Sequence, residues 1–143
     1  MRTKSRKVEI LREVALFSLC TDKELADVAG LVDELSVEPG TVLVKEGTPG
    51  RECFVVVSGE AEVSVRGSAI ATVGPGLCVG EMALLDTAPR TATVTATTAM
   101  ELLALEPRAF ADLLDRHPSV AKKLLATLAR RLRAASGGPD YTH

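Results

Sequence analysis

The chain has no tryptophan, and aromatic residues make up only 3% of its 143 positions. A stacking platform for single-stranded nucleic acid needs successive aromatic faces, so that class is excluded and the core must be aliphatic. Histidine is scarce as well, with only His117 and His143. The three cysteines, Cys20, Cys53 and Cys78, lie far apart and form no C-x-x-C pair. These donors assemble no metal set, and no cofactor is expected. The expected state of the cysteines is three small buried thiols in a reducing compartment, since free Cys is often buried. Charge of one sign is also lacking. The formal net charge of −2 leaves no basic field, so direct DNA binding is not expected. No apolar run reaches the roughly 20 residues that cross a bilayer, and no membrane insertion is expected. The N-terminus is basic through Arg2, Lys4, Arg6 and Lys7, but Glu9, Arg12 and Glu13 interrupt the apolar patch that follows. That is a poor signal peptide. A cytoplasmic location is the expectation.

What is present is an ordinary globular composition, 46% hydrophobic and 25% charged, in a length that suits one domain. The most informative stretch is residues 80–94, GEMALLDTAPRTATV. After Gly80, residues 81–85 allow only one or two helical turns before Asp86-Thr87-Ala88-Pro89 breaks them. A helix start carries unpaired N–H groups and partial positive charge, which suits a phosphate. Nine residues after Glu81, Arg90 stands alone among small residues, placed to grip the same anion through paired hydrogen bonds. Glu81 beside an anion makes sense only if the ligand also offers a hydroxyl donor. The demand is that of a sugar phosphate or nucleotide.

Helical spacing predicts an amphipathic helix over residues 4–17, and Thr21 with Glu24 predicts a capped second helix through Ala29. Leu25, Val28 and Ala29 face inward on it. From 34 to 106 the pattern changes to short runs of strand formers: Val37, 41–44, 53–57, 61–65, 69–73, 92–96 and 102–105. The first five are punctuated by Gly or Pro-Gly at the spacing of an antiparallel sandwich or barrel. Ala61–Val65 alternates, whereas Phe54–Val57 is apolar throughout and should sit deeper. Arg66-Gly67-Ser68 marks a hairpin. Pro107 opens a helix carrying Phe110, Leu113 and Leu114, and His117-Pro118 interrupts it. A longer helix follows to Ala135, with Val120, Ala121, Leu124, Leu125, Leu128 and Leu132 expected on one face. Lys122 and Lys123 read as surface residues. Residues 136–143 read as a tail.

The 80–94 stretch resembles the phosphate-binding cassette of cyclic nucleotide-binding domains. Leu16-Phe17, Leu25, Pro39-Gly40, Glu46-Gly47, Gly50, Ser58-Gly59-Glu60 and Gly74-Pro75-Gly76 follow the family's order, so the resemblance spans about 14–135. It implies an α+β, mainly β fold: an antiparallel β-roll with N-terminal helices, a short cassette helix and two C-terminal helices. The expected parts are a helical segment 1–30, a roll 31–106 with its cassette at 80–92, lid helices 107–135 and the tail. By the same resemblance, Arg90 with the amides of Ala83 and Thr91 would hold a cyclic phosphate. Glu81 and Gly80 would hold the ribose. Thr91 keeps cyclic GMP open, although cyclic AMP is favoured. Leu84, Leu85, Leu124, Leu128, Arg130 and Arg131 are candidates for the lid and hinge.

The implied function is a cyclic nucleotide sensor without catalysis, relaying binding through its C-terminal helices. A homodimer through the last helix is possible within this reading. Only eight residues follow Ala135, too few for a helix-turn-helix, so the signal is expected to reach an unknown effector protein or a fused domain. The alternative is a degenerate β-roll serving as a protein-interaction scaffold. A cupin-type enzyme is disfavoured by the shortage of histidine.

Overall fold

The computed structural model describes residues 3–49, 52–80 and 90–135, without the side chains of 131 and 135. Two N-terminal helices, α1 (Lys4–Arg12) and α2 (Asp22–Ala29), flank a 3-10 turn at Ala15–Phe17. Eight strands follow among the described residues: β1 (Asp33–Val37), β2 (Val42–Val44), β3 (Cys53–Ser58), β4 (Ala61–Val65), β5 (Ser68–Val73), β6 (Cys78–Val79), β7 (Thr93–Ala96) and β8 (Met100–Leu105). Helices α3 (Pro107–Arg116) and α4 (Pro118–Ala135) close the described chain. The strands form two antiparallel sheets, ordered β1-β8-β3-β6 and β2-β7-β4-β5. This is the antiparallel roll, with helices before and after the strands, that the family resemblance implies.

Strands β3 and β8 are apolar over 53–57 and 102–105 because both of their faces are covered there. Phe54, Val56, Leu102 and Ala104 point between the sheets and meet Val44, Ala61, Val94 and Ala96. Their alternate neighbours Cys53, Val55, Leu103 and Leu105 point the other way, onto Leu11, Phe17, Leu25, Phe110 and Leu124. A period of two therefore yields two cores from one pair of strands. Burying each of these large side chains contributes about 1.5–3 kcal/mol. Ala61 is buried and Glu62 exposed, as alternation requires, but Val63 is only half-buried. The β4–β5 hairpin turns through Arg66 and Gly67, both at positive φ (51° and 80°), the geometry of a two-residue turn matched to strand twist.

Several expectations need correction. The first helix ends at Arg12, not at residue 17, and Val14 is extended. On a continuous helix Val14 and Leu16 would lie about 200° apart. The break lets Leu11, Val14, Leu16 and Phe17 all be buried. The apolar face of α4 also splits: Val120 and Leu124 are buried, while Leu125 and Leu132 are 65% and 69% exposed. Leu125 lies a further 100° around the helix from Leu124, which carries it past the contact face. Strand β6, only two residues long, was not foreseen. Cys53 and Cys78 are not separate thiols but are joined as a disulfide, leaving Cys20 as the free cysteine. Their sequence spacing gave no hint, because the pairing of β3 with β6 is what brings them together. Among the described residues, no helix is long and apolar enough to cross a membrane.

Lys123 is likewise not a plain surface residue. The predicted capping box is present, with Thr21 accepting from the Glu24 amide and Glu24 accepting from the Thr21 amide. The Glu24 carboxylate also accepts from Ser119 Oγ, at 2.6 Å, and from Lys123 Nζ, both on α4. One nearly buried carboxylate thus ties α2 to the first turns of α4. Burial works against its charge, but the bonds from Lys123, Ser119 and Thr21 outweigh that and hold its pKa down to about 2. A depressed carboxylate stabilises the fold above its ordinary range, near 4.5, and the contribution fades as pH falls towards 2. Glu24→Gln is expected to lower stability by about 1–3 kcal/mol at pH 7. Urea denaturation of both proteins at neutral pH and near pH 2.5 checks this. A gap that does not narrow in acid contradicts the assignment.

Candidate functional site

Two of the residues singled out in the sequence meet in space. Gly80 directly follows β6, and Arg90 lies shortly before β7. The Arg90 main chain is fixed by the loop after β2: its amide donates to the Thr48 carbonyl at 2.8 Å, and its carbonyl accepts from Gly47 at 2.8 Å. Its side chain then reaches across to the start of β3. Arg90 Nη2 donates to the Glu52 carbonyl at 2.7 Å, and Nη1 makes a longer 3.5 Å contact with the Gly80 carbonyl. These bonds engage two of the five N–H donors of the guanidinium, which is a fork suited to planar anions. Burial lowers the pKa of Arg90, and the Glu52 carboxylate partly restores it. Arginine stays cationic through such a shift, so the group acts as a fixed, partly desolvated positive charge.

Gly80 is required where it stands. Its φ is +78°, and a Cβ there would collide with the Arg90 guanidinium and sit 2.9 Å from the Glu52 carbonyl oxygen. The chain can make this close approach only without a side chain. Beside the pair lies a recess of about 240 Å³ whose wall includes Val44, Lys45, Thr48, Glu52, Phe54 and Arg90. The site therefore has a preorganised cation, a backbone corner and space next to them. Chemically it can hold and orient an anion.

The remaining expected site residues are spread out. Thr91 is exposed next to Arg90. Glu81, Ala83, Leu84 and Leu85 lie outside the described residues, as does the Arg131 side chain. Leu124 is 3% exposed within the helical core, and Leu128 packs partly against the same cluster. Arg130 is exposed on α4. Sequence reasoning missed Glu52, whose contribution to holding Arg90 is a main-chain carbonyl. No side-chain motif signals such a role; only the registration of β3 against β6 reveals it.

Comparison with known proteins identifies the family. The family model for the cyclic nucleotide-binding domain matches residues 34–117, more than half of the chain. The chain belongs to the cyclic nucleotide-binding domain family. As a member it is a cyclic nucleotide-binding regulatory domain, related to catabolite activators and to kinase regulatory subunits. The N-terminal domain of a transcriptional regulator from Streptomyces coelicolor A3(2) superposes with a TM-score of 0.83 at 36% identity, covering 90% of this chain and 96% of that one. The regulatory domain of Toxoplasma gondii PKA, crystallised with cAMP, gives a TM-score of 0.71 at 37% identity over 77% of this chain and 44% of its own. A cAMP-dependent protein kinase regulatory subunit of Yarrowia lipolytica is 40% identical over 106 residues, 73% of this chain. The chain spans only 28% of that relative's length.

The family's glycine framework is thus tied here to a specific contact. Gly80→Ala is expected to cost about 1–2 kcal/mol from the left-handed backbone alone, with the displacement of Arg90 added to it. Gly74→Ala is the control: no atom lies within 4 Å of its added Cβ, and its φ is not in the left-handed range. It should stay within about 0.5 kcal/mol of the parent. Urea midpoints of the two variants measure the difference, and equal losses contradict the role given to Gly80.

Proposed function

We propose that the domain senses a cyclic nucleotide, binding its cyclic phosphate at Arg90 and responding without chemistry of its own. The observation that carries this reading is the cationic fork of Arg90 held against the left-handed corner at Gly80, beside an open recess. In this reading the amides of Thr91 and Ala83 complete the phosphate shell, and Glu81 with Gly80 holds the ribose. Cyclic AMP is the favoured ligand over cyclic GMP. Its support is the relationship to the Toxoplasma regulatory domain crystallised with cAMP, while the Thr91 hydroxyl keeps cyclic GMP open.

Binding would be relayed by α3 and α4. The break between these helices supports a hinge: His117, with φ −131° and ψ 75°, leaves the helical range before Pro118 starts α4. A ligand shifts the helices only as far as its affinities for the two arrangements differ. Leu84, Leu85, Leu124, Leu128, Arg130 and Arg131 remain the residues assigned to that movement. The exposed Leu125 supports a role for α4 in contacting a second copy or an effector, and we place the domain in the cytoplasm.

A charge-assisted hydrogen bond in a partly desolvated site contributes about 1.5–3 kcal/mol, which sets the size of the test. Arg90→Ala is expected to weaken cyclic AMP binding by about tenfold to a hundredfold, measured by titration calorimetry. Arg90→Lys keeps the charge but not the fork and should fall between the two. Affinity unchanged in Arg90→Ala contradicts the proposal. Absence of binding to cyclic AMP and cyclic GMP in the parent protein favours a scaffold role.

A further inference from the structure

We propose that Cys53 and Cys78 act as a redox-sensitive positioning pair for Arg90, so that the thiol state of the domain sets its nucleotide affinity. The proposal rests on the reading of Arg90 as the phosphate ligand. The two carbonyls that hold the guanidinium belong to Glu52 and Gly80. Glu52 immediately precedes Cys53, and Gly80 comes two residues after Cys78. The disulfide therefore joins the two chain segments that supply both acceptors.

Apart from the bridge, main-chain bonds fasten these segments: the short β3–β6 ladder, and the Val56 amide and carbonyl bonded to Leu77 and Gly76, three or more residues from Glu52 and Gly80. Strand β6 has only two residues, paired as Phe54 with Val79 and Val55 with Cys78. Among the described strands it is the outer one of its sheet, next to β3. Continuing that register sets Gly80 across from Cys53, so the bridge runs diagonally over the end of the ladder. The Cα atoms of the two cysteines are 6.8 Å apart, within the span of a disulfide. With the bridge closed, the Glu52 and Gly80 carbonyls keep a fixed separation and present Arg90 in one orientation. With it open, the two-residue strand and the Val56 bonds to residues 76 and 77 must do the same work. Preorganising a binding group raises affinity by removing an ordering cost from the binding step.

Access favours one direction of attack. Cys53 is 1% exposed, whereas Cys78 is half-buried. A dithiol reductant would attack the Cys78 sulfur with its thiolate, breaking the S–S bond and releasing Cys53 as a thiolate that takes a proton. The reductant's second thiol then resolves the mixed disulfide, leaving two protein thiols and an oxidised reductant. Two electrons and two protons pass from reductant to protein. Oxidation by a disulfide of the same class reverses the exchange.

The test uses the full chain carrying Cys20→Ala, which removes the third thiol. It is prepared in oxidised and dithiothreitol-reduced forms, each verified by thiol titration. Calorimetry with cyclic AMP is expected to show the oxidised form binding about fivefold more tightly. Adding Cys53→Ala and Cys78→Ala should give the weaker affinity and abolish its dependence on reductant. Amide hydrogen exchange gives a second readout that needs no nucleotide: reduction should speed exchange about threefold or more in peptides covering 78–80 and 90, but not in β8. Equal affinities, tighter binding by the reduced form, or free thiols that no disulfide oxidant closes would overturn the proposal. If neither form binds cyclic nucleotide, the ligand assignment fails. The exchange data then decide the positioning role alone, with unchanged rates counting against it.

Discussion

The hydrogen bond from Arg90 to the Glu52 carbonyl is the constraint on which the candidate site depends. A long cationic side chain in water samples many rotamers, and an anion that binds it must bear the cost of choosing one. Here the choice is made in advance. The Arg90 main chain is pinned to residues 47 and 48, and its far end is pinned to the start of β3 and the end of β6. Glycine at 80 is a consequence of that arrangement, since the guanidinium occupies the space that a side chain would fill. The roll supplies the distances: two antiparallel sheets bring the loop after β2, the head of β3 and the end of β6 to one place.

The alternation of β3 and β8 shows how the rest of the fold serves this corner. Each strand sends one set of side chains between the sheets and the other set under the helices. The same strand that carries the Glu52 carbonyl is therefore clamped on both faces, by the roll on one side and by α1, α2, α3 and α4 on the other. Cys53 and Val55 of β3 pack in the helical core, so the strand beside the site touches the helices directly. Mechanical continuity between helices and site thus exists in packed side chains, without a dedicated relay.

What the sequence revealed follows from the range of the interactions concerned. The Thr21–Glu24 cap, the Arg66-Gly67 turn and the proline start of α3 are local, written in residues three or four apart, and they are found where expected. The family relationship and the roll were legible because glycines at fixed spacing reflect positive φ at Gly40, Gly47, Gly59, Gly76 and Gly80. Three features were illegible for a common reason. The Cys53–Cys78 bridge, the Glu52 carbonyl beneath Arg90 and the Lys123–Glu24 pair, 99 residues apart, are created by tertiary placement of groups that look ordinary in the chain. Lys123 in particular sits in a helix where a solvated lysine is the default, and only the buried carboxylate opposite makes it exceptional.

That pair also divides α4 into two parts with different freedom. Through Ser119, Val120, Lys123, Leu124 and Thr127 the first turns are bound to α2 and the helical core by ion pair, hydroxyl bond and apolar contact. Beyond Thr127, Leu128 is half-buried and the described side chains that follow it, Arg130 and Arg133 among them, are exposed. A helix held at one end and wet at the other bends or swings about its anchored turns, not about its middle. The anchor lies beside the His117 break, where helical geometry is already lost. The two features together put the best-fastened turns of α4 next to its break with α3.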